Sequence, residues 1–224
     1  MREISELIIN GDIVVNEDVQ WYDWFGWDCT SPKKVRDAID NNPKGETIDV
    51  IINSGGGDVF AGQEIYGMLH GRDDVTINVQ SIAGSAASVI AMAGKSKMSP
   101  VAMLMIHNVF MSGACGDYHD MQKNAEILKQ MNAALAASYV LKTGKTEDEI
   151  LKLMDRETWI TANQALEYGF IDEIEGAEVS FGNAVGRMRL TDELRNKAMA
   201  EKKAAEDKEK IKTELLDDLD LYGI

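Results

Sequence analysis

TIDVIINSGGGDVFAGQEIYGMLHG, residues 47–71, carries the pattern that decides the fold. The β-branched run from Thr47 to Asn53 reads as a short strand. It ends in a glycine-rich turn, and Val59 to Gly71 follows with apolar residues at helical spacing. DVTINVQSIA (74–83) then alternates as a second strand, and AMLMIH (102–107) looks like a buried third. Between them lies SIAGSAASVIAMAG (81–94), nearly all small residues, which suggests a short helix pressed close to its neighbours. Strand, helix, strand, helix, strand with short connections predicts βαβ units and a largely parallel sheet, an α/β fold.

Outward from this unit the signals remain clear. Upstream, ELIINGDIVV reads as a strand entering a turn at Asn10-Gly11. Ser31 and Pro32 of CTSPKKVRDAID suit the N-cap and first position of a helix. Downstream, one long helix is expected from Asp117 to about Leu141, ending at Thr143-Gly144. Thr146 and Glu149 form a capping-box signature for the next, and a short helix capped near Thr161 stops at Gly169. The tryptophan-rich WYDWFGW is expected to anchor a core or an interface rather than to stack nucleic-acid bases.

The chain has 224 residues, enough for one sizeable domain with an appendage. A net charge of −15 argues against binding nucleic acid or an anionic membrane surface, since both are held by Lys and Arg. No apolar run approaches bilayer length, and the first residues lack a signal-peptide core, so a cytoplasmic location is expected. Cys29 and Cys115 fit no metal-ligand spacing and read as two free thiols. Past Ile174 the composition shifts to a densely charged tail, expected to be partly helical.

Three clusters bear on chemistry. SGGGD exposes backbone N–H groups suited to a phosphate or an oxyanion, but lacks the Gly-Lys-Ser/Thr of a nucleotide loop and the third glycine of a dinucleotide fingerprint. Ser88 is expected at the start of a short helix, a good place for a nucleophilic oxygen, with Ser85 its rival one turn away. No G-x-S-x-G elbow is present, which excludes an α/β-hydrolase reading. His107, closing an apolar strand, is held by packing, whereas His70 and His119 read as surface residues.

In order, INSGGG, AGQEIYGML, GSAAS, MIH, the long helix and ETWITANQALEYGFIDEI resemble the Clp-type (caseinolytic) serine proteases. That family shares a superfamily with the enoyl-CoA hydratases. The resemblance covers about residues 47–174 and implies the Clp protease/crotonase-like fold. Repeated ββα/βαβ units would build a mostly parallel sheet, with helix 117–141 as a protruding handle. A catalytic domain would span 1–176 and a charged extension 177–224.

Carried over by position, the family's nucleophile falls on Ser88 and its general base on His107. The oxyanion donors fall on the N–H groups of Gly57 and Val89. The triad acid falls on Glu157, where the family has aspartate, with Asp155 as the alternative. Gly55 also stands where the family has proline. INGDI, WDCTSPKKVRDAI and GGGDVFAGQEIY further resemble phage and prophage head maturation proteases of Clp type.

The activity so implied is ATP-independent hydrolysis of peptide bonds inside a ring of identical subunits, commonly heptameric and stacked in pairs. It needs no metal or nucleotide. Substrates would be polypeptides, including phage capsid or scaffold protein, and docking of an AAA+ unfoldase is left open. Two other classes remain as alternatives: an inactive shell subunit with a vestigial triad, and a hydratase-type acyl-CoA enzyme.

Overall fold

The computed structural model describes residues 4–43, 46–176 and Lys203, so the expected extension 177–224 lies, apart from Lys203, outside the described residues. The elements belong to the first of two compact units, Met1–Val179 and Ser180–Ile224. They run in the order β1 (Ile4–Ile13), a 3-10 turn (Asn16–Asp18), α1 (Val19–Phe25), β2 (Cys29–Thr30), α2 (Pro32–Asp40) and β3 (Thr47–Gly57). Next come α3 (Val59–Leu69), β4 (Val75–Gly84), α4 (Ala86–Ala91), β5 (Lys95–Met98) and β6 (Met103–Ile106). The last are α5 (Tyr118–Thr143), α6 (Glu147–Asp155), β7 (Thr158–Thr161), α7 (Ala162–Glu167) and β8 (Glu173–Ile174).

The sheet order is β2-β1-β3-β4-β5-β8, with β6 joined to β4 and β7 to β6. All pairs are parallel except β6–β7. β4 divides its second edge between two partners: Thr76–Val79 pairs with β5, and Ile82–Gly84 with β6. This fork carries the end of β4 away from β5 and lays it beside the strand that leads to His107.

In β3 every second residue from Ile48 to Gly56 is buried. Ile9, Val50, Ile52, Ile77, Val79, Leu104 and Ile106 are fully enclosed and form the centre of the core. α4 is buried along its whole length, which its alanines and serine permit. The helix ends follow their caps. Ser31 accepts from the Lys34 N–H, Thr146 with Glu149 and Thr161 with Gln164 close capping boxes, and Gly144 ends α5 in the left-handed conformation.

Three expectations are corrected. β1 does not turn at Asn10-Gly11 but continues to Ile13 through an irregularity between Asn10 and Asp12, because β2 and β3 go on pairing with it. The glycine run after Asn53 is not a turn: β3 extends through it to Gly57, paired with Ile13. α4 begins at Ala86, so Ser85 is its N-cap and Ser88 lies inside the helix. The tryptophan-rich segment, expected in a core or an interface, lies in and just after α1 on the surface of this chain, outside its core, with Trp24 68% exposed.

Gly56 and Gly57 are required by the backbone. Gly56 has φ 104°, and a Cβ there would sit 2.7 Å from the Ser85 Cβ; one at Gly57 would collide with the Ile13 carbonyl. Gly55 has open space around it. Alanine at Gly56 or Gly57 is expected to destabilise by at least about 1–2 kcal/mol, the cost of a side chain in this conformation before any clash. Gly55→Ala is expected to stay within about 1 kcal/mol of wild type; urea unfolding of the three variants measures both.

At the far end, Lys142 of α5 donates to the Gly94 carbonyl and pairs with Asp172, which also accepts from the Ser96 N–H. Burial opposes the Asp172 charge, but Lys142 and Ser96 outweigh it and hold the carboxyl below its usual range. A depressed folded pKa gives stability that is present above the unfolded value and lost as pH falls through the folded one. Asp172→Asn should therefore melt earlier than wild type at pH 7, and the deficit should shrink below about pH 4. Thermal melts across that range provide the check.

Candidate active site

β4 ends at Gly84, α4 begins at Ala86, and the single residue between them is Ser85. Its backbone has φ 51° and ψ −123°, a region that costs a non-glycine residue about 1–3 kcal/mol. Hydrogen bonds on both sides hold it there. The Ser85 N–H donates to the Met105 carbonyl at 2.8 Å, which ties the turn to β6. The Ser85 carbonyl accepts from the Ser88 N–H at 2.9 Å, the Val89 N–H at 3.3 Å and the Ser88 hydroxyl at 2.6 Å.

The sharp turn lifts the Ser85 side chain out of the helix, half-buried, where it meets His107. His107 Nε2 lies 2.7 Å from Ser85 Oγ. The antiparallel pairing of β6 with β7, in register from Met103↔Thr161 to Ile106↔Thr158, fixes the strand just before the histidine. With its proton on Nδ1, the imidazole accepts the Ser85 O–H at Nε2, which is the arrangement of a nucleophile and its base.

Ser88, expected as the nucleophile, is not beside His107. It is fully buried inside α4, where its hydroxyl donates to the Ser85 carbonyl and lies 2.7 Å from the Tyr139 hydroxyl. The reason is register: a residue three positions past the turn lies one helical turn inward. Val89, expected as an oxyanion donor, gives its N–H to the Ser85 carbonyl at 3.3 Å. The N–H that follows Ser85 in the chain belongs to Ala86, which lines the cleft beside Ser85, Gly57 and His107.

That cleft has a volume of about 450 Å³. Its walls include Val14 and Tyr22 on one side and Phe110, Leu135 and Tyr139 on the other. Tyr22 donates to Asp12, and burial together with this carboxylate pushes its phenol up to about 12. Ser54 fastens the glycine-rich wall: its hydroxyl donates to the Gly11 carbonyl at 2.6 Å and accepts from the Gly56 N–H at 3.1 Å.

The Glu157 carboxylate is not hydrogen-bonded to His107. Glu157 is exposed, has φ 47°, and accepts from the Trp159 indole N–H at 3.3 Å. It falls in the connection between α6 and β7, one residue before β7; the β6–β7 register, continued by one residue, sets it opposite His107, but its carboxylate is engaged by Trp159. Asp155 accepts from the side-chain amide of Asn108, the residue after His107, at 2.8 Å. Among the described residues no carboxylate is hydrogen-bonded to the imidazole. Nor do three or more His, Cys, Asp or Glu side chains gather as a metal site among them. No helix among the described residues is long and apolar enough to cross a membrane.

The cleft residues that sequence reasoning ranked low or missed are Ser85, Ala86 and Tyr139. One signal was present: the strand leading from Val75 runs to a glycine at 84, and a serine directly after a strand-ending glycine occupies the turn itself. Tyr139 carries no local signal, because only the folding of α5 back onto α4 brings it near.

The site's framework has counterparts elsewhere. The proteolytic subunit 2 of the ATP-dependent Clp protease of Tropheryma whipplei (strain Twist) is 35% identical over 139 residues, covering 60% of this chain and 76% of that protein. The ATP-dependent Clp protease proteolytic subunit of Bacteroides fragilis (strain ATCC 25285) is 36% identical over 140 residues, 61% of this chain and 67% of the relative. The proteolytic subunit 1 of Protochlamydia amoebophila (strain UWE25) is 33% identical over 135 residues, 58% and 66% respectively. A family model described as Clp protease matches residues 37–178, a span that runs from the end of α2 past β8 and takes in the glycine wall, the Ser85 turn and His107. On both the extent of that match and the identity to its relatives, this chain belongs to the Clp protease family.

Proposed function

We propose that the chain is a serine endopeptidase in which Ser85 is the nucleophile and His107 the general base. The observation that carries this reading is the 2.7 Å contact between His107 Nε2 and Ser85 Oγ in an open cleft. Ser85 Oγ attacks the peptide carbonyl as its proton passes to His107 Nε2. The carbonyl oxygen, now negative, is received by the backbone N–H groups of Gly57 and Ala86. The imidazolium then protonates the leaving amine, and water activated by the same histidine releases the acyl group.

Ala86 takes the place expected for Val89 because its N–H directly follows the nucleophile. The acyl-CoA alternative loses ground on the same geometry, since hydration of an enoyl thioester has no use for a serine hydrogen-bonded to a histidine. The inactive-subunit alternative draws no support from a hydroxyl and imidazole already in contact.

Rings of identical subunits, stacked through the handle helix, extend the same reading to assembly. Its support is that α5 presents Tyr118, Met121 and Ile127 to solvent on the single chain, apolar side chains suited to burial against another copy. Phage capsid or scaffold protein as substrate is a narrower proposal, resting on the resemblance of INGDI, WDCTSPKKVRDAI and GGGDVFAGQEIY. Cleavage of a capsid precursor by the purified chain would test it.

Intact-mass analysis after a fluorophosphonate probe tests the nucleophile. One adduct per chain is expected on wild type, none on Ser85→Ala, and an adduct still on Ser88→Ala. Labelling that persists in Ser85→Ala would overturn the assignment. His107→Ala should slow peptide hydrolysis by about 10³-fold or more. Asp155→Asn and Glu157→Gln should each cost less than Ser85→Ala, and the larger loss in kcat identifies the carboxylate that orients the imidazole.

A further inference from the structure

The hydroxyl of Ser88 has a complete set of partners and none of them is His107. Its one proton goes to the Ser85 carbonyl at 2.6 Å. The 2.7 Å contact with Tyr139 must therefore run the other way, the phenol donating to Ser88 Oγ. Both residues are buried, Ser88 completely and Tyr139 to within 2%. Burial, opposed only by the Ser88 bond, holds the Tyr139 phenol well above its ordinary range, so it keeps the proton it donates.

The result is a directed chain, Tyr139 O–H to Ser88 Oγ–H to Ser85 carbonyl, running from α5 into the backbone of the residue that carries the nucleophilic oxygen. The carbonyl is the right point of attachment. Rotating the Ser85 peptide toward an ordinary conformation would move this oxygen, and with it the direction of the Ser85 side chain and of the Ala86 N–H on the same peptide. An ordinary α-helix would supply the two backbone donors; the Ser88 hydroxyl is a third donor that a helix does not provide.

We propose that Ser88 and Tyr139 are positioning residues for catalysis: together they clamp the Ser85 carbonyl and so hold Ser85 Oγ and the Ala86 N–H in their reactive directions. The proposal rests on Ser85 being the nucleophile. It gives the second serine of GSAAS a role distinct from nucleophilic attack, and makes Tyr139 a part of the site that acts through Ser88.

The test compares wild type, Ser88→Ala, Tyr139→Phe and the double variant in the full chain, by fluorophosphonate acylation rate and by kcat and KM on a peptide substrate. Loss of the clamp should slow acylation and kcat about 10- to 100-fold with KM unchanged, the scale expected of a small misplacement of a reacting group. The two single variants and the double should fall to similar rates, because either change breaks one chain. Tyr139→Phe keeps the ring's packing and is the safeguard should Ser88→Ala fold poorly.

Rates unchanged per folded molecule, with only the melting temperature lowered, would overturn the proposal in favour of a purely structural bond. A raised KM with normal kcat in Tyr139→Phe would overturn it too, by making the phenol a substrate contact. NMR titration of His107 separates this inference from the assignment of Ser85. If wild type takes no probe, the nucleophile reading fails, yet an altered His107 titration in Ser88→Ala would still support the clamp. An identical titration would refute it.

Discussion

A serine at φ 51° and ψ −123° relaxes unless its surroundings forbid it, and the surroundings of Ser85 are arranged to forbid it. Its N–H is taken by β6, its carbonyl by three donors from α4, and its Cβ is packed against Gly56. Each restraint comes from a different element, so no single local rearrangement frees the turn. The glycines of β3 are the counterpart of this strain. Gly56 leaves room at a point where any Cβ would push Ser85 aside, and Ser54 ties this strand to the irregularity in β1.

The geometry of the cleft is thus a property of the sheet as much as of the side chains. β4 delivers Ser85, β6 delivers His107 from the adjacent strand, and β3 delivers the Gly57 N–H from the other side. Three neighbouring strands ending at one edge place three kinds of group around one point, as open parallel sheets commonly do at the carboxyl ends of their strands. The base of α5 closes the cleft with Leu135 and Tyr139.

Most of the framework was legible because it is written in local signals. The period-2 run of β3, the helical spacing of α3, and the caps at Ser31, Thr146 and Thr161 all act within a few residues of themselves. β5 was missed because KSKM is four residues long with two lysines, and its strand character comes only from β4 and β8 on either side. The site was legible to within one helical turn. His107 stood out as a histidine closing an apolar strand, but GSAAS offers two serines only three residues apart. Choosing between them requires knowing where β4 stops, and a strand's end is decided by pairing with β6, not by composition. Glu157 shows the same limit in reverse: its place in the motif can be read from the sequence, but the partner its carboxylate takes, the Trp159 indole, cannot.

The fork in β4 has a wider meaning. Its first half, Thr76–Val79, sits between β3 and β5, with Ile77 and Val79 sealed in the core. Its last residues part from β5, take β6 as their new neighbour, and end in the strained turn. One strand is therefore foundation at its start and working edge at its tip. Such a division lets the buried half absorb ordinary mutational drift in β5 and β8 without disturbing the tip, while a change in β6 reaches the histidine and the Ser85 turn together, through the Met105 carbonyl. A protein built this way can vary its durability and its chemistry through different strands.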